Sequence, residues 1–229
     1  TIKKFLLSLL ILLLFPIIFI FIPITADLGS NPLPIIISLL RSSVLFPLFF
    51  WTFGAAYTGL IAINGAPLIA EKVNSGAMLI LISKPIRREN IYLGKLIGLI
   101  LYNMVLSGVS LYIIVWIIVL RYTGNLAHFT ALIPFLISVF LYSTFVNVIF
   151  SILTISISSI LNNSRFVLLV LIIIILYTFV IFTLIQTFFS GTDIDLPLYH
   201  FDLGYHLVNI YMSFIETLEP QLNIGRWLL

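Results

Sequence analysis

The sequence predicts an all-α integral membrane protein: a helical bundle of five transmembrane helices, followed by a re-entrant or interfacial C-terminal segment. Three observations carry that reading. Of the 229 residues, 62% are hydrophobic and 8% charged, where a soluble domain has about 25% charged. The 11 Lys and Arg and 8 Asp and Glu are too few to cover a globular surface, and the mean hydropathy is +1.25. Uncharged runs recur at about the 20-residue length that crosses a ~30 Å hydrocarbon core. The chain reads as a single transmembrane domain, 1–229. The absence of cysteine excludes disulfides, thiolate metal sites and a thiol nucleophile. The net charge of +3 comes from basic residues that are not gathered into a nucleic-acid surface.

Residues 5–24 form the first span, an uncharged run behind Lys3 and Lys4. A cleaved signal peptide would have a shorter apolar core ending in small residues, whereas Pro23-Ile24-Thr25-Ala26-Asp27 stands here. Asn31-Pro32-Leu33-Pro34 and the stretch 35–40 read as a loop and an interfacial turn. The second span is 44–64, with Pro47 near its start and Gly54, Ala55, Thr58, Gly59 and Ala62 along one side. The third, fourth and fifth are 91–120, 131–161 and 166–189. The third and fourth run to about 45 Å at 1.5 Å per residue, so they should tilt or project from the bilayer.

Residues 190–229 form an extracytoplasmic segment of different character, where Asp193, Asp195, His200, Asp202, His206, Glu216 and Glu219 stand among apolar residues. Helical periodicity persists over 205–218, but Asn209, Ser213 and Glu216 suit an interfacial helix better than a lipid-facing crossing. Pro220 should end it. Arg226-Trp227-Leu228-Leu229 is compatible with the first turn of a sixth span beyond Leu229, and the missing initiator Met suggests residues ahead of Thr1.

The charges orient the spans. With the N-terminus in the cytoplasm, Lys3, Lys4, Lys72, Lys84, Arg87, Arg88, Lys95 and Arg165 lie inside, and only Arg41, Arg121 and Arg226 outside. That asymmetry follows the positive-inside rule and predicts a multi-pass protein of the cell membrane with a cytoplasmic N-terminus. The sequon Asn162-Asn163-Ser164 then faces the cytoplasm and should carry no glycan.

The loop 64–90 holds four of the basic residues, and Lys95 follows it closely. Burying all five at roughly 2.5 to 3.5 kcal/mol each would cost more than about 12 kcal/mol, so the loop lies in water. Its apolar stretches 66–70 and 77–82, separated by Asn74-Ser75-Gly76, read as two short amphipathic helices lying on the membrane or on a partner. Pro85 should end the second, and Glu89-Asn90 can begin the third span with an acid at the positive end of its dipole.

Glu71-Lys72-Val73-Asn74-Ser75-Gly76, then Ser83-Lys84-Pro85-Ile86-Arg87-Arg88, then Ile91-Tyr92-Leu93-Gly94-Lys95 resembles the signature of the type-2 ATP-binding-cassette (ABC) transporter permease family, the exporter-like membrane subunits. In that family a Glu, a Gly five residues on, a Pro followed by an Arg, and a Gly-Lys pair occupy this loop. Glu71, Gly76, Lys84, Pro85, Arg87, Arg88, Gly94 and Lys95 match it in order. Two departures are Ala77 where the family usually has Thr, and five spans plus a tail where it usually has six. The resemblance implies a permease that forms the translocation path of an exporter. It also implies a coupling loop, 64–90, that docks on a separate ABC ATPase subunit, and a second permease subunit, identical or related. This chain has no phosphate-binding loop: around Gly94-Lys95 the upstream Gly is Glu89 and the Ser or Thr is Leu96. It is therefore expected to be no enzyme and to bind no cofactor, with ATP and Mg on the partner ATPase. The competing reading of the loop is a basic anchor on membrane lipid headgroups.

Ser143, Asn147, Ser151, Thr154 and Ser158 share one face of the fourth span, and Asn103, Ser107 and Ser110 form a shorter stripe on the third. They read either as the lining of a translocation path or as interhelical hydrogen-bonding groups worth ~0.6 kcal/mol each. Asn147 should have a polar partner, because an unpaired amide in hydrocarbon is costly. Gly54-x-x-x-Thr58, Ala55-x-x-x-Gly59 and Gly94-x-x-x-Gly98 let helices approach closely, in a dimer or within the chain. His200, Asp202 and His206 are metal-ligand types, but their spacing fits no helical zinc motif. With Tyr199, Tyr205 and Tyr211 they read as an interfacial segment, and no metal is expected. The main alternative to a transporter is a non-transporting structural or assembly subunit of a larger membrane complex. A membrane enzyme is disfavoured because the spans carry almost no ionisable residue and no G-x-S-x-G elbow.

Overall fold

The computed structural model describes residues 2–20, 49–76, 88–123, 132–161 and 163–181, with 203, 206, 207, 209–211 and 213 near the end. Among these residues the structure is almost entirely helical, with no strand. Helix α1 is Ile2–Ile20. A π-helical turn, Thr52–Ala56, leads into α2, Tyr57–Gly65, and then α3, Pro67–Asn74. Helix α4 is Arg88–Thr123, α5 is Ile133–Ile160, and α6 is Ser164–Leu176, continued by a second π turn, Tyr177–Ile181.

Four helical stretches are long and apolar enough to cross a membrane: Phe49–Asn74, Glu89–Arg121, Phe135–Ile160 and Ser164–Ile181. They fall on the second to fifth expected spans. Helix α1 covers most of the first but is not one of the four. The helix ends follow local chemistry. Glu89 lies in the first turn of α4 and Arg121 in its last, complementing the dipole at both ends. Asn163 caps α6, its side chain accepting from the Arg165 N–H at 3.0 Å.

One boundary differs from the sequence reading. The second span was expected to stop at Asn64, but helix continues to Asn74 with only a turn at Ala66. Pro67 explains this, because it stands at the first position of α3, where its fixed φ suits a helix and its missing N–H costs least. The first short loop helix thus forms as a continuation of the span, and it extends past the apolar stretch 66–70 to include Glu71. The second apolar stretch, 77–82, lies outside the described residues.

The chain divides into two compact units. The first comprises residues 1–54, 106–143 and 207–229, and the second 55–105 and 144–206. The core of the first is aromatic: Phe49 meets Phe135 edge-on at 5.2 Å between ring centroids, and Tyr142 and Tyr211 lie 4.9 Å apart. The described positions from 203 to 213 are helical; there Leu207 and Tyr211 are buried, while His206, Asn209 and Ser213 are exposed. In the second unit α6 packs against α2 and α3 through Val167, Leu171 and Ile175, and Phe150 lies 6.3 Å from Phe179. The outer faces are apolar. On α4 the exposed stripe is Leu93, Ile97, Leu101, Val105, Val109, Tyr112, Trp116 and Leu120. On α6 it is Phe166, Leu169, Ile172, Ile173 and Leu176, as a lipid-facing surface requires.

Candidate functional site

The polar stripes of the third and fourth spans face inward. Asn103, Ser107 and Ser110 on α4, and Ser143, Asn147, Ser151, Thr154 and Ser158 on α5, are all 0% exposed. In the first unit the Ser143 hydroxyl bonds the Phe140 carbonyl at 2.9 Å and approaches the Ser107 hydroxyl at 3.3 Å. In the second unit Asn147 has the partner its burial demands: its Nδ2 donates to the Ile100 carbonyl at 2.8 Å, and its Oδ1 accepts from Ser151 at 3.0 Å. The Tyr57 hydroxyl of α2 donates to the Asn103 carbonyl at 2.6 Å, joining α2 to α4 on the same face.

Below this layer the helices come close together. A Cβ on Gly65 would collide with Thr154 and Leu99, so only glycine permits α2 to approach α5 here. One turn further along α5, Ser158 reaches the joint between α2 and α3. Its Oγ donates to the Ala66 carbonyl at 2.9 Å and accepts from the Ala70 N–H at 3.1 Å, the two groups that bracket the first turn of α3. A second tether comes from α4, where the Lys95 ammonium donates to the Leu68 carbonyl at 2.7 Å. Helix α3 is thus held by one side chain from α4 and one from α5. Its Ile69 and Ala70 are buried, while Glu71, Lys72, Asn74 and Ser75 are exposed.

Just past the end of α3 stands Gly76, whose φ is +70°, in the left-handed region that glycine enters without strain. Of the expected coupling residues, Glu71 is exposed and makes no ion pair with another described residue. Gly94 is exposed, and a Cβ there would meet nothing within 4 Å. Lys95 is half-buried and serves as the tether. Arg88 begins α4, while Lys84, Pro85 and Arg87 lie outside the described residues, as do His200 and Asp202. Among the described residues no group of three His, Cys, Asp or Glu could hold a metal. Gly59 and Gly98, like Gly94, have open space where a Cβ would stand, so neither packs against a described helix at that point.

The sequence reading missed two residues of this arrangement. Tyr57 signalled itself as a phenol inside a span, which needs a hydrogen-bond partner. Gly65 signalled itself as the glycine just ahead of Ala66-Pro67. Chemically the interior can exchange hydrogen bonds with uncharged groups, and mechanically α3 can pass a displacement to α4 and α5. Comparison of the chain with protein-family models, curated proteins and solved structures finds no match.

Proposed function

We propose that this chain is the membrane-spanning permease subunit of an ABC-type transporter, an exporter of the type-2 kind, driven by a separate ATPase chain. The observation that carries the reading is the mounting of α3. It presents an exposed acid, Glu71, that makes no ion pair among the described residues, yet it is clamped to two membrane-crossing helices through Lys95 and Ser158. A surface pushed by a partner and bonded to the spans is what coupling requires. In this reading α1 is a fifth span, the N-terminus and α3 face the cytoplasm, and residues 190–229 lie outside. The open faces at Gly59, Gly94 and Gly98 meet a second permease subunit. ATP and Mg stay on the ATPase, and the inward stripes of α4 and α5 line the path.

The test is purification of the intact complex from its native membrane, with the wild-type chain and with Glu71→Ala. An ATP-hydrolysing chain should co-purify with the wild type. Losing a desolvated charge contact costs roughly 2 to 5 kcal/mol, so Glu71→Ala should shed that chain while still inserting and melting normally. No ATPase on the wild-type chain, or equal retention by both, would overturn the proposal.

A further inference from the structure

Several buried hydroxyls in this protein turn back to their own helix. Thr58 bonds the Ala55 carbonyl, Ser110 that of Ser107, and Ser143 that of Phe140, each three residues earlier. A helical hydroxyl can satisfy itself in this way, whereas an amide also needs a donor for its oxygen, which the carbonyls of its own helix do not supply. Asn103 is 0% exposed, and neither its Nδ2 nor its Oδ1 has a hydrogen-bond partner among the described residues. The polar groups nearest in register are directed elsewhere: the Tyr57 hydroxyl to the Asn103 carbonyl, and the Asn147 amide to Ile100 and Ser151. Thr154 Oγ1 and Asn64 Nδ2, in the same unit, are also buried without such a partner. Leu99 stands one turn from Asn103 on α4, and Leu99 and Thr154 together border Gly65, the neighbour of Asn64.

We propose that the interior of the second unit binds water, at Asn103 and, further along the same helices, at Thr154 and Asn64. Buried polar groups in native proteins are satisfied by protein or by ordered water. The guest here must be uncharged, because every buried polar side chain among the described residues is neutral and an ion would find no countercharge. It must also donate to one edge of the amide and accept from the other, which water does in the least volume. The inference stands apart from the transporter reading, since it concerns the chain without any ATPase.

The absence of cysteine makes the test clean. The full-length protein is prepared in lipid nanodiscs with a single cysteine introduced as Asn103→Cys or Thr154→Cys, and with Val146→Cys as the control, 0% exposed in the same unit. The probe is silver ion, which dissolves in water and not in hydrocarbon and binds thiolate; the reaction is followed by intact mass. An apolar setting raises a thiol's pKa, and each unit cuts its thiolate fraction about tenfold. Asn103→Cys should therefore react at least roughly tenfold faster than Val146→Cys. If Asn103→Cys does not fold, judged by size-exclusion profile and melting, Thr154→Cys carries the same expectation. Equal slow rates at a folded test position and the control would overturn the proposal.

Discussion

Gly65 shows most directly how a single atom sets this packing. A Cβ there would stand 2.5 Å from Thr154 Cγ2 and 2.9 Å from Leu99 Cδ2, and the branched threonine has little freedom to withdraw. Gly65→Ala should cost about 1 to 3 kcal/mol by overpacking, read as a lower melting temperature in detergent. Gly98→Ala, with nothing within 4 Å of the added methyl, should leave stability unchanged or raise it by up to about 1 kcal/mol, the helix preference of Ala over Gly. Equal melting of the two variants would contradict the close approach. Asn147 gives a second residue-scale expectation. Asn147→Leu removes bonds to Ile100 and Ser151, and a double-mutant cycle with Ser151→Ala should return a coupling of ~0.6 kcal/mol, the usual value for a hydrogen bond between membrane residues. A coupling of zero would mean that the two side chains do not bond.

At the scale of elements, α3 owes its place to two side chains rather than to its length. Eight residues are too few for an isolated helix in water. Ser158→Ala and Lys95→Met should each loosen it by about 1 kcal/mol, roughly a fivefold rise in hydrogen exchange of its backbone amides. Ser159→Ala should not, since that exposed hydroxyl bonds the Ser156 carbonyl of its own helix. Unchanged exchange in all three variants would show that the tethers carry no load. The helices themselves were legible because uncharged runs of span length have few other structures available. The joint was not legible, because the basic loop was expected to part from the span at Asn64, and that the short helix begun by Pro67 continues the span shows only in the structure. The inward stripes could be read from spacings of three and four, whereas the bond from Ser158 to Ala66 joins residues 92 apart, and no local pattern announces it.

For the molecule as a whole, the distribution of Lys and Arg makes a prediction that packing alone cannot. Single cysteines introduced as Ser75→Cys and Ser190→Cys should label from opposite faces of the membrane, with Ser75→Cys protected from an impermeant reagent in intact cells. Labelling of Ser75→Cys from outside would invert the orientation proposed above. Charge bias is legible in a sequence because each Lys or Arg near a span end adds to a sum. Which buried groups meet inside the bundle is not, because that depends on how four helices pack.

The exposed stripe on α4 also carries a depth scale. From Ile97, the first exposed apolar position past Lys95, to Trp116 the helix rises about 29 Å, close to the ~30 Å of a hydrocarbon core. Set across such a core from Ile97, the outward-facing Trp116 would rest at the headgroup boundary, where aromatic rings prefer to lie, with Tyr112 one turn below it. The last turns of α4, through Thr123, would then lie beyond that boundary. A thicker bilayer would draw the indole of Trp116 into the acyl chains, and a thinner one would strand it among the headgroups, each at a fraction of a kcal/mol per ångström of mismatch. The helix thus suits a bilayer of ordinary thickness, and with Trp51 and Trp227 replaced by Phe the fluorescence of Trp116 would report how closely a given membrane matches it.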